Sequence, residues 1–128
     1  MKYRTLGKTN LKVSIVGFGG IPIRNVPENE AIDVINRAID LGINYVHISA
    51  GYGDSAIKVG KVMKDRRDEC ILNFKCSLPL TKEEGQACLE RGLEMLQTDR
   101  IDIVQLRMDE EHFEKAMGKD GSFQAFKE

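Results

Sequence analysis

The sequence predicts an α/β fold in which helices cover a parallel sheet, and three observations carry that expectation. Short apolar runs rich in strand formers recur at 15–18, 45–48, 70–74 and 101–106. Their spacing, about 30 residues, fits one strand–helix unit each. Between them lie segments with helical periodicity and helix-boundary residues, and the runs themselves are nearly continuous in apolar character, as in strands covered by helices. Right-handed crossovers fix the hand of the connections. Four such units fit either an open doubly wound sheet or part of a closed barrel, and the pattern alone does not choose.

Residues 3–6, a Gly7-Lys8-Thr9-Asn10 turn and residues 11–13 predict a β-hairpin ahead of the first unit. The first helix places Ala31, Ile35, Ala38 and Ile39 on one face, widened by Ile32 and Leu41. Gly42 follows where a left-handed residue closes a helix. The second helix opens at Asp54 or Ser55 as N-cap and turns Ile57, Gly60 and Met63 inward. Thr81 followed by Glu84 is a capping box for the third, whose inner face reads Leu89, Gly92, Leu93 and Leu96. A short helix is expected over 112–117, a turn over 118–121, and a last helical stretch capped by Ser122. The expected organisation is one domain over 1–128, with the hairpin in 1–14 and the four units in 15–128.

Bulk properties narrow the function classes. A chain of 128 residues with 41% hydrophobic and 30% charged residues is long enough for one domain with its own core. A net charge of -1 gives no reason to expect nucleic acid or an anionic membrane as partner. No apolar run approaches a membrane span, and MKYRTLGKTN lacks the apolar stretch of a secretory signal. Three cysteines without paired spacing predict reduced thiols in a cytoplasmic protein rather than a disulfide framework. Cys70, Cys88 and Met95 read as core or helix-face residues, and His112 as solvated among charges. His47 and Cys76 both fall at strand ends, but two ligands without a third of matching spacing make no metal site.

Particular residues do choose the fold. The stretch MKYRTLGKTNLKVSIVGFGGIPI resembles the start of an aldo/keto reductase, hairpin plus first strand. The resemblance continues through LGINYVHISAGYGDS, RRDECILNFKCS, TKEEGQACLERGLEMLQTDRIDIVQL and FEKAMGKDGSFQAF. It is closest to the branch whose full-length members often carry a C-terminal iron–sulfur segment. The resemblance implies the N-terminal half of a (β/α)8 TIM barrel, with its chemistry at the C-terminal ends of the strands.

The implied reaction is reduction of an aldehyde or ketone by hydride from NADPH, which needs a proton donor to the carbonyl oxygen. Such a family site uses a tyrosine whose ordinary pKa, about 10, is too high without help. A lysine stabilises its phenolate, an aspartate holds the lysine and a histidine orients the carbonyl. Tyr52 in Ala50-Gly51-Tyr52-Gly53 matches the tyrosine, and Lys75 matches the lysine. His47 stands at the aspartate position, with Ile48 and Ser49 for the threonine and alanine that follow it, and Arg107 stands at the histidine position. Gly19 and Gly20 end the first strand where the family backbone approaches its cofactor.

Two of four catalytic positions are therefore substituted, and both changes add positive charge. The resemblance places most groups that grip NADP(H), and the cysteines of any iron–sulfur cluster, in segments beyond residue 128, so no cluster is expected in this chain. The expected function is an NADPH-dependent oxidoreductase-like chain without carbonyl reductase activity of its own. The alternative is a half-barrel pseudoenzyme that binds or assembles, with an anionic ligand at His47, Lys75 and Arg107. Half a barrel leaves two open sheet edges and an unpartnered concave face, expected to be apolar. That predicts self-association or a partner chain that completes the barrel.

Overall fold

The fold is given by a computed structural model that describes residues 1–127. A hairpin of β1 (Tyr3–Thr5) and β2 (Lys12–Ser14) precedes a sheet ordered β3 (Phe18–Gly19), β4 (Tyr45–Ser49), β5 (Ile71–Ser77) and β6 (Ile103–Arg107). All pairings within that sheet are parallel. Helices α1 (Glu28–Asp40), α2 (Ser55–Arg66), α3 (Lys82–Leu96) and α4 (Glu110–Met117) fill the crossovers and the end of the chain. Short 3-10 turns stand at Pro22–Asn25, Arg67–Glu69 and Ser122–Phe126. Among the described residues no helix is long and apolar enough to cross a membrane.

The sheet is sided, and period-two alternation decides which residue faces which way. Val46, Ile48, Leu72, Phe74 and Cys76 are fully buried towards the helices, with Ile35, Ala56, Val59 and Leu96 packed over them. Two glycines let this layer close. A Cβ on Gly60 would come within 2.4 Å of the Met95 carbonyl oxygen, so α2 touches α3 backbone to backbone. A Cβ on Gly92 would come within 2.8 Å of the Phe74 ring, so α3 rests directly on β5. The residues between, Tyr45, His47, Ser49, Asn73, Lys75, Gln105 and Arg107, lie on the opposite wall. The concave face expected to be apolar is therefore largely polar, because the inward half of each alternation carries hydrogen-bonding and charged side chains.

Several expectations hold at single-residue resolution. Gly42 has φ +89° and follows α1 as its left-handed terminator. Thr81 and Glu84 form both halves of the capping box. Other boundaries moved for identifiable reasons. The first strand pairs only at Phe18 and Gly19, because the Ile15 N–H is donated to the Lys2 carbonyl and Ile15 and Val16 stay exposed. The third runs on to Ser77, and the fourth starts at Ile103, since the Asp102 carboxylate accepts from the Leu72 N–H. Asp54 occupies the N-cap of α2, but its carboxylate binds Lys58 instead of the backbone, and Ile57 is exposed rather than inward. Helix α4 begins at Glu110, capped by Asp109, whose carboxylate accepts the His112 N–H. His112 is half-buried and bonds the same carboxylate through its ring.

The expectation of three reduced thiols is corrected. Cys76 and Cys88 form a disulfide, and Cys70 is the free, buried cysteine, its thiol pushed up to about 11 by burial. Cys76 faces the helices as the next outward residue after Phe74, and Cys88 faces the sheet from α3. That brings their Cα atoms to 6.2 Å, within bridging range. The parity of the cysteine count hides this strand-to-helix pairing.

Candidate active site

The turn after β4 and the end of β5 bring Tyr52 and Lys75 together. Tyr52 sits in a turn in which its N–H is donated to the Ser49 carbonyl, 3.1 Å, and its carbonyl accepts the Ser55 N–H, 3.2 Å. The residue is 9% exposed. Lys75 Nζ donates to the Tyr52 hydroxyl oxygen at 2.7 Å and lies 4.6 Å from the ring centroid. Because the ammonium supplies the hydrogen of that bond, the phenol keeps its own hydrogen for another acceptor. An adjacent cation also stabilises the phenolate left when that hydrogen is given away.

His47 stands beside them, its ring centroid 6.0 Å from that of Tyr52 in an edge-on contact. Burial of the imidazole, and then the Lys75 charge, hold its pKa below the usual histidine value, while a hydrogen bond with Gln105 acts the other way. The ring is thereby disposed to stay neutral near pH 7. It belongs to the same cluster without replacing a carboxylate, and among the described residues no carboxylate pairs with Lys75 or Arg107.

Arg107 ends β6, exposed, with its carbonyl accepting the Leu78 N–H at 3.0 Å. Gln105, not Arg107, is in register with Lys75, so Arg107 lies one inward position further out, opposite Ser77. Gly19 is in register with His47, and nothing lies within 4 Å of where its Cβ would be. Gly20 is explained by packing, since a Cβ there would meet Ile48 at 2.1 Å, and its N–H bonds the His47 carbonyl at 2.9 Å. Lys58, 3% exposed, donates to the Ile23 and Val26 carbonyls at 3.0 and 2.7 Å and so fixes the loop that follows Gly20. Among the described residues there is no group of three side chains that could hold a metal ion.

Sequence reasoning named Ser49 only as a departure from the family motif and gave Gln105 no role. Both were within reach of a period-two count: Ser49 is the next inward residue after His47, and Gln105 is the inward residue of β6 level with Lys75.

Comparison with known proteins identifies the family. The family model described as the aldo/keto reductase family matches residues 15–119. The chain belongs to the aldo/keto reductase family. L-galactose dehydrogenase of Arabidopsis thaliana is 33% identical over 118 residues, covering 81% of this chain and 37% of that protein. The solved aldo-keto reductase AKR11C1 of Bacillus halodurans, in its holo form, superposes with a TM-score of 0.84 at 28% identity, over 99% of this chain and 45% of that one. An aldo-keto reductase of Klebsiella pneumoniae in complex with NADPH shares the fold, with a TM-score of 0.73 at 23% identity, over 85% of this chain and 41% of that one. The four parallel strands and their helices thus correspond to half of the (β/α)8 barrel of these neighbours. The chain spans less than half the length of each of these relatives.

Proposed function

We propose that this chain carries the proton-donating half of a carbonyl-reducing oxidoreductase site, and that it does not turn over a carbonyl substrate alone. The observation that carries the reading is the 2.7 Å bond from Lys75 to a buried Tyr52 whose own hydrogen remains free. In this reading Tyr52 donates its proton to the oxygen of an aldehyde or ketone, Lys75 stabilises the resulting phenolate and neutral His47 bounds the pocket. NADPH, when bound, supplies the hydride. The residues present fit the carbonyl end of that reaction but not a full dinucleotide grip. On the described inner wall the cations are Lys75 and Arg107, and Lys75 is engaged by Tyr52, which leaves too little charge for the phosphates.

In this reading the rest of the site is set against the open edges of β3 and β6, supplied by a second copy or a partner chain where the polypeptide itself does not supply it. The cytoplasm remains the proposed site of action, and its reducing conditions favour Cys76 and Cys88 as thiols over the disulfide. The test is an NADPH titration of the 128-residue chain by cofactor fluorescence, with assembly size recorded on the same sample. The monomer is expected to show no saturable micromolar binding, and an assembled form is expected to bind. Tyr52→Phe should then lower carbonyl reduction by the assembly at least about 100-fold. Unchanged turnover in Tyr52→Phe rules the reading out.

A second reading, a half-barrel pseudoenzyme that binds an anion, is favoured by one feature: Lys75 and Arg107 share the inner wall without a carboxylate among the described residues. It requires millimolar phosphate or a small carboxylate to raise the melting temperature. No thermal shift with either removes it.

A further inference from the structure

Ser49 is 2% exposed and, besides its place in the β4–β5 ladder, makes hydrogen bonds that between them reach both members of the Tyr52–Lys75 pair. Its hydroxyl donates to the Lys75 carbonyl at 2.8 Å. The same oxygen accepts the Gly51 N–H at 3.3 Å, and the Ser49 carbonyl accepts the Tyr52 N–H at 3.1 Å. Ser49 is in register with Lys75 across the β4–β5 pairing, so the side-chain bond reinforces the ladder at the residue whose ammonium must reach the phenol. On its other side Lys75 is in register with Gln105 of β6. Among the described residues no carboxylate pairs with Lys75, whose ammonium is bonded to Tyr52. The turn that carries Tyr52 is short and exposed at Gly51 and Gly53, on either side of the buried tyrosine.

We propose that Ser49 is a positioning residue that sets the distance between Tyr52 and Lys75. Through its hydroxyl it ties the Lys75 main chain to the turn that presents Tyr52, so the 2.7 Å bond depends on a side chain that touches neither reacting group. The proposal rests on the reading of Tyr52 and Lys75 as a working pair. Loss of the hydroxyl leaves the Lys75 carbonyl and the Gly51 N–H without this partner and so lowers stability as well, which is why the test reads the Tyr52 phenol and not folding.

The experiment uses the full chain labelled with 13C at the tyrosine ζ carbon, a nucleus sensitive to hydrogen bonding at the phenol oxygen. Three tyrosines give three resonances, and Tyr52 is assigned by the signal lost in Tyr52→Phe. Lys75→Met sets the displacement that follows loss of the ammonium. Ser49→Ala is expected to move the Tyr52 resonance in the same direction by at least half that displacement, while Tyr3 and Tyr45 stay in place. Ser49→Cys, which keeps the volume and weakens the donor, is expected to move it by less. If both Ser49 variants leave Tyr52 unmoved while Lys75→Met displaces it, the positioning role is overturned and the pair survives. If Lys75→Met itself leaves the resonance unmoved, the pair fails and carries this inference with it.

Discussion

The two faces of the four-stranded sheet obey different rules although they share every strand. The side towards α2 and α3 is closed by shape: Val46, Ile48, Leu72, Phe74 and Cys76 are fully buried, and Gly60 and Gly92 are small because backbone or ring atoms occupy the space beside them. The opposite wall, level by level along the same strands, carries Tyr45, His47, Ser49, Asn73, Lys75, Gln105 and Arg107, joined by directed bonds and not by volume. Stability should therefore depend on the first face and chemistry on the second. The first face is itself uneven, for it is closed over β5 and open over β6. There Val104, Leu106, Phe113 and Met117 border a cavity of about 490 Å³.

The sharpest way to break this contrast is to empty the closed face. Phe74 has no exposed surface, and Gly92 of α3 rests on its ring. Phe74→Ala should cost about 3–5 kcal/mol by denaturant unfolding, since the helix cannot follow the lost ring into the gap. Gln105→Ala, on the other wall and exposed, should change stability by no more than about 0.5 kcal/mol. Comparable losses in the two variants would mean that the inner wall is structural, and that the two faces do not divide stability from chemistry.

A smaller effect is expected from the covalent link on the same closed face. Cys76 and Cys88 are 12 residues apart, and their bond joins β5 to α3 one residue beyond Lys75. Reduction should lower stability by about 2–4 kcal/mol, chiefly by freeing the unfolded chain. Cys88→Ser should show a similar loss and no further response to reductant. If reduction leaves the unfolding midpoint in place, the packing over β5 holds α3 without the disulfide, and shape alone accounts for that face.

What the sequence made legible follows this division. Periodicity and capping chemistry located the elements, because Gly42, Thr81 and Glu84 act within one turn of where they stand. The family motif brought out Tyr52, Lys75 and His47, and the fold assembles them as one cluster. Pairings between elements stayed out of reach. The Cys76–Cys88 bond, the Asp102 contact that delays the fourth strand, and the Ser49 link to Lys75 each depend on register across neighbouring elements, which no local pattern encodes. The polarity of the concave wall was present in the alternation all along, but the near-continuous apolar reading of the strands concealed it.

The smallest predicted effect tests the inner wall directly. Burial of His47, and then the Lys75 charge, disfavour its charged form in the folded chain, against the opposing Gln105 bond. The unfolded chain, with an ordinary value of about 6.5, then binds a proton more readily than the folded one. Stability is therefore full above the unfolded value. It should fall as pH drops from there through the lowered folded value, and level off below it. His47→Gln removes this contribution, so the difference between wild type and variant, measured by denaturant unfolding between neutral and mildly acidic pH, isolates it from the carboxylates and from His112. A difference that vanishes means His47 has no stake in the wall. A difference of opposite sign, with wild type gaining on acidification and gaining more in phosphate, means that an anion beside Lys75 and Arg107 favours the imidazolium. That outcome would turn the inner wall from a proton-donating surface into an anion-binding one, on the same residues.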